Sequence, residues 1–137
     1  MKIDKENLYQ KIIEFLNNSI KDIDSIYIFG SYADDNFTKD SDMDIAFLNK
    51  SELSAVEIWD ISSSLSSLLN IDVDLVDLKH TNIIFRFEII SKAIKIYETN
   101  KQAVEKFEDL TYSFYIDFNE IRSSIIDDIK TNGISRA

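Results

Sequence analysis

The chain contains no cysteine and only two glycines among its 137 residues. Without cysteine it has neither disulfides nor thiolate metal sites. No apolar run approaches the roughly 20 residues that span a bilayer. The first six residues, Met-Lys-Ile-Asp-Lys-Glu, lack the apolar segment of a secretory signal. Together these absences predict a cytoplasmic protein.

Acidic side chains outnumber basic ones by 25 to 15, and the formal net charge is −10. Because phosphate backbones are bound mainly by Lys and Arg, this balance argues against nucleic acid as the main partner. It does not exclude a nucleotide, whose phosphates a metal can bridge to carboxylates. The charge favours a basic protein partner; the other interpretation is that it only keeps the protein soluble.

The length predicts a single domain over residues 1–137, and apolar periodicity predicts alternating helices and strands. Helices are expected over 4–22, 54–69, 82–93 and 101–130, with a stop at Asn132-Gly133. Strands are expected over 25–30, 42–48, 71–78 and 94–97. This order indicates the α/β (α+β) fold class, with one layered domain and a long C-terminal helix.

One of the two glycines, Gly30, directly follows the first predicted strand and precedes Ser31. Glycine at this point lets the backbone approach a ligand closely or take a positive φ. Ser31 favours the start of a short helix. Backbone N–H groups at such a start point toward an anion, so Gly30 and Ser31 are candidate phosphate-binding residues.

Two carboxylates, Asp42 and Asp44, follow after a ten-residue gap at the start of the second predicted strand. Residues two apart in a strand share one face. Two such carboxylates repel each other unless a cation lies between them. Carboxylates combined with phosphate oxygens form a typical magnesium ligand set, so Asp42 and Asp44 are candidate metal ligands.

Gly-Ser followed at this spacing by Asp-x-Asp resembles the signature of the nucleotidyltransferase superfamily that includes DNA polymerase β. The ten-residue gap and small size resemble the minimal nucleotidyltransferase (MNT) antitoxins of HEPN–MNT toxin–antitoxin pairs. The resemblance implies a small mixed β-sheet with helices on one face and the aspartates on the open face. It further implies a Mg²⁺-dependent protein adenylyltransferase, with two metal ions, that transfers AMP from ATP to a tyrosine of a HEPN ribonuclease toxin.

A third carboxylate is expected from the third predicted strand, where Asp72, Asp74 and Asp77 are the candidates. Asp72 and Asp74 share a face, and Asp77 points the other way in a regular strand. The resemblance at 73–76 favours Asp74, with Asp72 as the alternative. Asp74 would ligate the metal and act as general base toward the attacking hydroxyl.

The chain departs from the family where a basic residue and a glycine commonly follow Gly-Ser-x-Ala, because it has Asp34 and Asp35 there. Either Lys39 replaces the missing cation, or phosphate binding depends more heavily on metal. Two alternative functions therefore stay open. One is a small-molecule nucleotidyltransferase, and the other is a catalytically weak antitoxin that masks the toxin by binding.

The remaining expectations concern packing. The serines at 62–64, 66 and 67 are predicted to form a solvated helix face, and Trp59 to pack at the core or its edge. Arg86 is expected in a salt bridge or at a phosphate, whereas His80 has no assigned role. Residues 104–125 form a heptad-like apolar seam that is expected to cover the sheet. Extra apolar residues beside it, Tyr115, Ile126 and Ile129, are expected to dock onto a helical partner.

Overall fold

The computed structural model describes residues 4–132. Its elements are α1 (Lys5–Ser19), β1 (Ile23–Phe29), β2 (Met43–Asn49), α2 (Ala55–Leu69), β3 (Val73–Asp77), α3 (Ile83–Lys92), β4 (Ile94–Glu98) and α4 (Lys101–Asn132). Every predicted helix and strand is confirmed, with ends shifted by at most about three residues, the usual uncertainty of a helix or strand end. Two short 3₁₀ turns, Gly30–Tyr32 and Leu78–His80, follow β1 and β3. The predicted helix stop at Gly133 lies outside the described residues.

Polar side chains determine where three of the helices begin. The Asp4 carboxylate accepts a hydrogen bond from the Asn7 N–H at the start of α1. Ser54 and Glu57 cap the start of α2 reciprocally, and the Asn82 side chain caps α3. Such caps satisfy N–H groups that have no partner within the helix. The helix starts are therefore encoded locally.

The four strands form one mixed sheet in the order β3-β2-β1-β4. β1 pairs antiparallel with β2 and β4, while β2 pairs parallel with β3. The parallel pair requires a crossover connection, which α2 provides. The mixed sheet and the long C-terminal helix of the predicted fold class are confirmed.

Helices pack on both faces of this sheet. α1 and α2 cover one face, where the main apolar core consists of Leu8, Ile12, Leu16, Ile26, Ile28, Ile45, Phe47 and Leu65, among others. On the opposite face Tyr27, Ala46, Leu78 and Ile89 form a second cluster with Phe107 of α4. The expectation of helices on one face therefore holds for α1 and α2 only. The reason is that β1 is apolar on both faces and needs cover on both.

α4 is anchored to the sheet at its N-terminal end by a partly buried polar network. The Tyr27 hydroxyl donates a hydrogen bond to Glu108 Oε2 at 2.7 Å, and Lys95 Nζ lies 3.0 Å from the same oxygen. Burial raises the pKa of Tyr27, so its hydroxyl keeps the proton that it donates. Val104 and Thr111 are fully buried alongside this network.

Beyond this anchor, the predicted apolar seam does not cover the sheet. Phe114, Phe118, Ile121 and Ile125 are exposed. A helix of 32 residues is about 48 Å long, whereas a four-stranded sheet is only about 15–20 Å wide. The seam expectation is therefore wrong past Thr111, because α4 extends beyond the sheet that it was expected to cover.

The expectation for Trp59 is also wrong. Trp59 lies on α2, and 69% of its surface is exposed. Periodicity alone cannot distinguish the centre of an apolar stripe from its margin. No helix within residues 4–132 is long and apolar enough to cross a membrane.

Candidate active site

The first functional segment is the turn that follows β1. Gly30 begins a three-residue 3₁₀ turn with a positive φ of 72°, and its carbonyl accepts a hydrogen bond from the Ala33 N–H at 3.0 Å. Phe29 is the capping residue and makes no side-chain capping bond. The predicted short helix is present as this 3₁₀ turn, but it begins at Gly30, so Ser31 lies within it and is not its capping residue. Because a single turn has little dipole, the main chain at Gly30 and Ser31 can offer N–H groups to a phosphate but no helix dipole.

Gly30 also makes room for Asp44. A Cβ atom at Gly30 would overlap with Asp44 Oδ2 and would lie 3.1 Å from its Cγ. The positive φ is a conformation that other residues adopt only with strain. A residue with a side chain at position 30 would therefore displace the Asp44 carboxylate.

Strand register brings two of the three predicted carboxylates together. Asp44 pairs with Phe29 of β1 on one side and with Asp74 of β3 on the other. Strands in a sheet lie about 4.8 Å apart, so the two aspartates are direct neighbours. Asp42 lies just before β2 and is exposed, whereas Asp44 is half-buried. The three carboxylates therefore form a cluster beside the Gly30 turn.

The two alternative third carboxylates lie elsewhere. The Asp72 carbonyl accepts a hydrogen bond from the Met43 N–H at 2.7 Å, and Asp72 lines a separate cavity of about 420 Å³. Asp77 is buried at the far end of β3, opposite Phe47. Its Oδ1 accepts from the Lys79 N–H at 3.1 Å. Position thus favours Asp74, while its chemical role stays a prediction.

The carboxylate cluster is electrostatically unfavourable for its central member. Burial raises the pKa of Asp44, and the negative charges of Asp74 and Asp42 raise it further. Oxygen donors under mutual repulsion fit a hard cation such as Mg²⁺. Within residues 4–132, no three acidic or histidine side chains form a ready-made metal cage. A cation here would therefore need phosphate oxygens as additional ligands.

Arg86 has a structural position that the sequence did not reveal. Its guanidinium donates to the carbonyls of Leu78 and Lys79, both at 3.0 Å, and lies 4.9 Å from the centre of the Phe107 ring. Burial lowers the pKa of Arg86. The described ion pairs of residues 4–132 include no salt bridge of Arg86, and a phosphate contact stays a prediction. Arg86 instead holds the 3₁₀ turn after β3 against α4.

Two serines that the sequence analysis assigned to a solvated face position β3. Ser62 Oγ donates to the Val73 carbonyl at 2.7 Å, and Ser66 Oγ accepts from the Val73 N–H at 2.9 Å. They therefore fix the residue directly before Asp74. Their spacing of four residues places both on one side of α2, which was the available signal. The serines at 63, 64 and 67 are exposed as predicted.

The predicted substitute cation, Lys39, does not lie at the Gly30 turn. It is exposed and lines the same cavity as Asp72. Asp35 forms an ion pair with Lys5. A different cavity, of about 200 Å³, adjoins the Gly30 turn, and its lining residues are Phe29, Gly30, Asp34, Phe85, Glu88, Ile89 and Lys92.

Known proteins resemble this chain over the segment that holds the site. A family model described as Polymerase beta, Nucleotidyltransferase matches residues 10–102, a range that includes Gly30 and all three clustered aspartates. Protein adenylyltransferase MntA of Shewanella oneidensis is 34% identical over 127 residues, which make up 93% of this chain and 91% of that protein.

Solved structures agree with the sequence match. A chain in a crystal structure of a toxin–antitoxin with AMP-PNP has a TM-score of 0.80 and 34% identity, covering 89% of this chain and 98% of that chain. A chain in a structure of tri-AMPylated Shewanella oneidensis HEPN toxin in complex with MNT antitoxin has a TM-score of 0.76 and 32% identity, covering 91% and 98%. With its carboxylate cluster, its glycine turn and these matches, the chain belongs to the polymerase beta nucleotidyltransferase family.

Proposed function

We propose that this protein is the antitoxin of a HEPN–MNT pair and a protein adenylyltransferase that modifies a tyrosine of its HEPN ribonuclease toxin in the cytoplasm. The observation that carries the chemistry is the direct pairing of Asp44 with Asp74 beside the Gly30 turn. The choice of acceptor is supported by the relatives, one named a protein adenylyltransferase and one a complex with a tri-AMPylated HEPN toxin.

Asp42, Asp44 and Asp74 are the residues that would hold Mg²⁺, in a site for two ions. When bound, Mg²⁺ neutralises phosphate charge and polarises the phosphoryl group under attack. The protein contributes two carboxylates from paired strands and a third from the segment before β2. ATP contributes phosphate oxygens as the remaining ligands, as is usual for Mg²⁺ in nucleotide sites.

The transfer step can be assigned to atoms of the chain and its substrates. The tyrosine oxygen of the toxin attacks the α-phosphorus of ATP, the bond to the β-phosphate oxygen breaks, and pyrophosphate leaves. Asp74 accepts the tyrosine proton, and its exposure allows a hydroxyl from another protein to reach it. The main chain at Gly30 and Ser31 donates hydrogen bonds to the phosphates.

The toxin is proposed to dock on α4 where this helix leaves the sheet. Exposed apolar side chains occur along most of its length and include Leu110, Phe114, Ile116, Phe118, Ile121, Ile125, Ile126 and Ile129. Many large apolar side chains exposed along one helix are typical of a protein–protein contact. The part of α4 that extends past the sheet is a single exposed helix. Helices of a partner can pack along its exposed sides.

A groove between α3 and α4 is the proposed centre of that contact. It measures about 460 Å³ and is lined by Phe87, Tyr112, Tyr115, Ile116 and Asn119, among others. Tyr115 stacks on Phe87 with ring centres 3.7 Å apart, so it is partly used within the chain. Of the three residues expected to dock onto a partner, Tyr115 is therefore less available. Ile126 and Ile129, with their exposed neighbours, are the residues proposed to contact the toxin directly.

Incubation of the protein with its toxin, ATP and Mg²⁺, followed by intact mass measurement of both chains, tests the proposal. The expected result is a toxin whose mass increases by one or more AMP units. A tight complex with an unchanged toxin mass would instead support masking, which the negative charge of Asp34 beside Gly30 favours. Transfer to a small molecule without the toxin would support the small-molecule alternative.

A further inference from the structure

We infer that Lys92 is the side chain that binds the terminal phosphates of ATP at this site, in place of a cation on the Gly30 turn itself. This inference rests on the proposed function, since it takes ATP as the substrate. It adds a phosphate-binding residue on α3, about 60 positions after the Gly-Ser motif in the chain. It also makes Asp34, which lies in the same cavity, the residue that opposes phosphate binding.

The first observation is the location of Lys92. It lines the cavity of about 200 Å³ whose wall includes Gly30 and Asp34. Gly30 in turn contacts the region of Asp44, because only its missing Cβ leaves space for that carboxylate. The carboxylate cluster and the cavity of Lys92 therefore both adjoin Gly30. A triphosphate whose α-phosphate lies at the carboxylates can extend its terminal phosphates into this cavity.

The second observation is the charge around the turn. A triphosphate carries several negative charges, yet Asp34 and Glu88 on the cavity wall are acidic, as is neighbouring Asp44. Of the residues that line this cavity in the described part of the chain, Lys92 is the only one with a cationic side chain. A charge-assisted hydrogen bond from an ammonium group is the strongest contact that the cavity wall can offer to a phosphate.

Lys92 is free to change partners. Its ammonium lies 2.9 Å from Glu88 Oε2, one helical turn away, and both side chains are largely exposed. The Glu88 hydrogen bond raises the pKa of Lys92, with a further contribution from Asp34, so the side chain is cationic at neutral pH. Exposed pairs of this type are weak. An arriving phosphate can therefore compete with Glu88 for the ammonium without disturbing the fold.

The other cations considered for this role do not line the Gly30 cavity. Lys5 pairs with Asp35 outside it. Arg86 is held by three backbone carbonyls. Lys39 lines the cavity of Asp72 on another part of the surface. Lys92 is therefore the cation that this cavity offers to a phosphate.

The experiment compares the binding of ATP and of AMP in Mg²⁺ by isothermal titration calorimetry, without toxin, so that no turnover is required. Replacing Lys92 by Ala should weaken ATP binding about tenfold. AMP binding should stay unchanged, because AMP has no terminal phosphates. Lys92→Gln should behave like Lys92→Ala. The matched control is Lys39→Ala, which removes another exposed lysine, in the cavity of Asp72, and should bind both nucleotides as the wild type does.

A rescue variant separates phosphate binding from a structural effect. Adding Asp34→Arg to Lys92→Ala places a cation in the same cavity and should restore ATP affinity to within about threefold of wild type. Equal ATP affinity in wild type and Lys92→Ala would overturn this inference alone. Loss of AMP binding in parallel with ATP binding would overturn it too. A wild type that binds no nucleotide at all would overturn the proposed function together with it.

Discussion

The two faces of the sheet differ most at β2 and β3. On the face toward α1 and α2, Ile45 and Leu75 are buried in the main core. On the opposite face the neighbouring positions in the same strands hold Asp44 and Asp74, which are half-buried and exposed. Because successive side chains of a strand point to opposite faces, one pair of strands provides both a dry core and a charged site.

This difference shows how the molecule keeps a repulsive cluster in place. Burying one large aliphatic side chain contributes about 1.5–3 kcal/mol to folding. The carboxylate cluster destabilises the folded protein at neutral pH, because burial and the charges of Asp74 and Asp42 raise the pKa of Asp44. The core face stabilises the strands strongly enough for the other face to retain carboxylates that repel one another.

The strongest test of the core face is Ile28→Ala. Ile28 is fully buried in β1, so its truncation should lower the free energy of unfolding by about 2–5 kcal/mol. The matched control is Ile121→Ala, because Ile121 is 62% exposed on α4 and should change stability by no more than about 0.5 kcal/mol. Urea unfolding of both variants provides the measurement. Equal losses would contradict the assignment of Ile28 to the core and of Ile121 to the surface.

The corresponding test of the site face is Asp44→Asn. Asparagine keeps the shape but is a poor Mg²⁺ ligand, so AMP transfer to the toxin should fall by at least about a hundredfold. Asp72→Asn is the matched control, because Asp72 lies in a separate cavity, and it should transfer AMP at close to the wild-type rate. Transfer rates from intact mass time courses measure both. If Asp44→Asn transfers at the wild-type rate, the proposed metal site is wrong.

A third test concerns the exposed apolar surface of α4, which packs against neither face of the sheet. Replacing Ile121 and Ile125 together by Ser should weaken toxin binding about tenfold or more while the isolated protein stays folded. The matched control replaces Val56 and Trp59 on α2, which are both 69% exposed, by Ser. Calorimetric titration with the toxin measures each affinity. Unchanged binding by the α4 variant would move the contact to another surface.

The smallest expected effect is a gain in stability for Asp44→Asn. The folded state raises the pKa of Asp44 above its ordinary value of 3.8. The contribution of Asp44 to the free energy of unfolding is therefore fully present below pH 3.8, and it is lost as the pH rises through the raised pKa. Without divalent metal at pH 7, the variant should melt about 1–3 °C higher than wild type. The gain should disappear below pH 3.8. A lower melting temperature of the variant at pH 7 would refute the destabilisation that burial and the charges of Asp74 and Asp42 impose on ionised Asp44.

Local features of the chain were sufficient to predict the elements and half of the site. Apolar periodicity and polar caps such as Ser54 depend on residues within one or two turns, and the structure agrees with them. Gly30, Asp42 and Asp44 could be singled out for a similar reason, since their meaning lies in a short spacing. The length of α4 was likewise predictable from the sequence. How much of α4 packs against the sheet was not.

What only the tertiary structure decided depends on contacts between distant segments. The register of β2 against β3 places Asp74, rather than Asp72, beside Asp44. The packing of α3 against β1 brings Lys92 to the Gly30 cavity and leaves Lys39 outside it. The sequence by itself determined the candidate metal ligands and the Gly30-Ser31 turn, because these depend on side-chain chemistry and local spacing. The fold decided which of them meet, because register and helix packing arise from the whole apolar core.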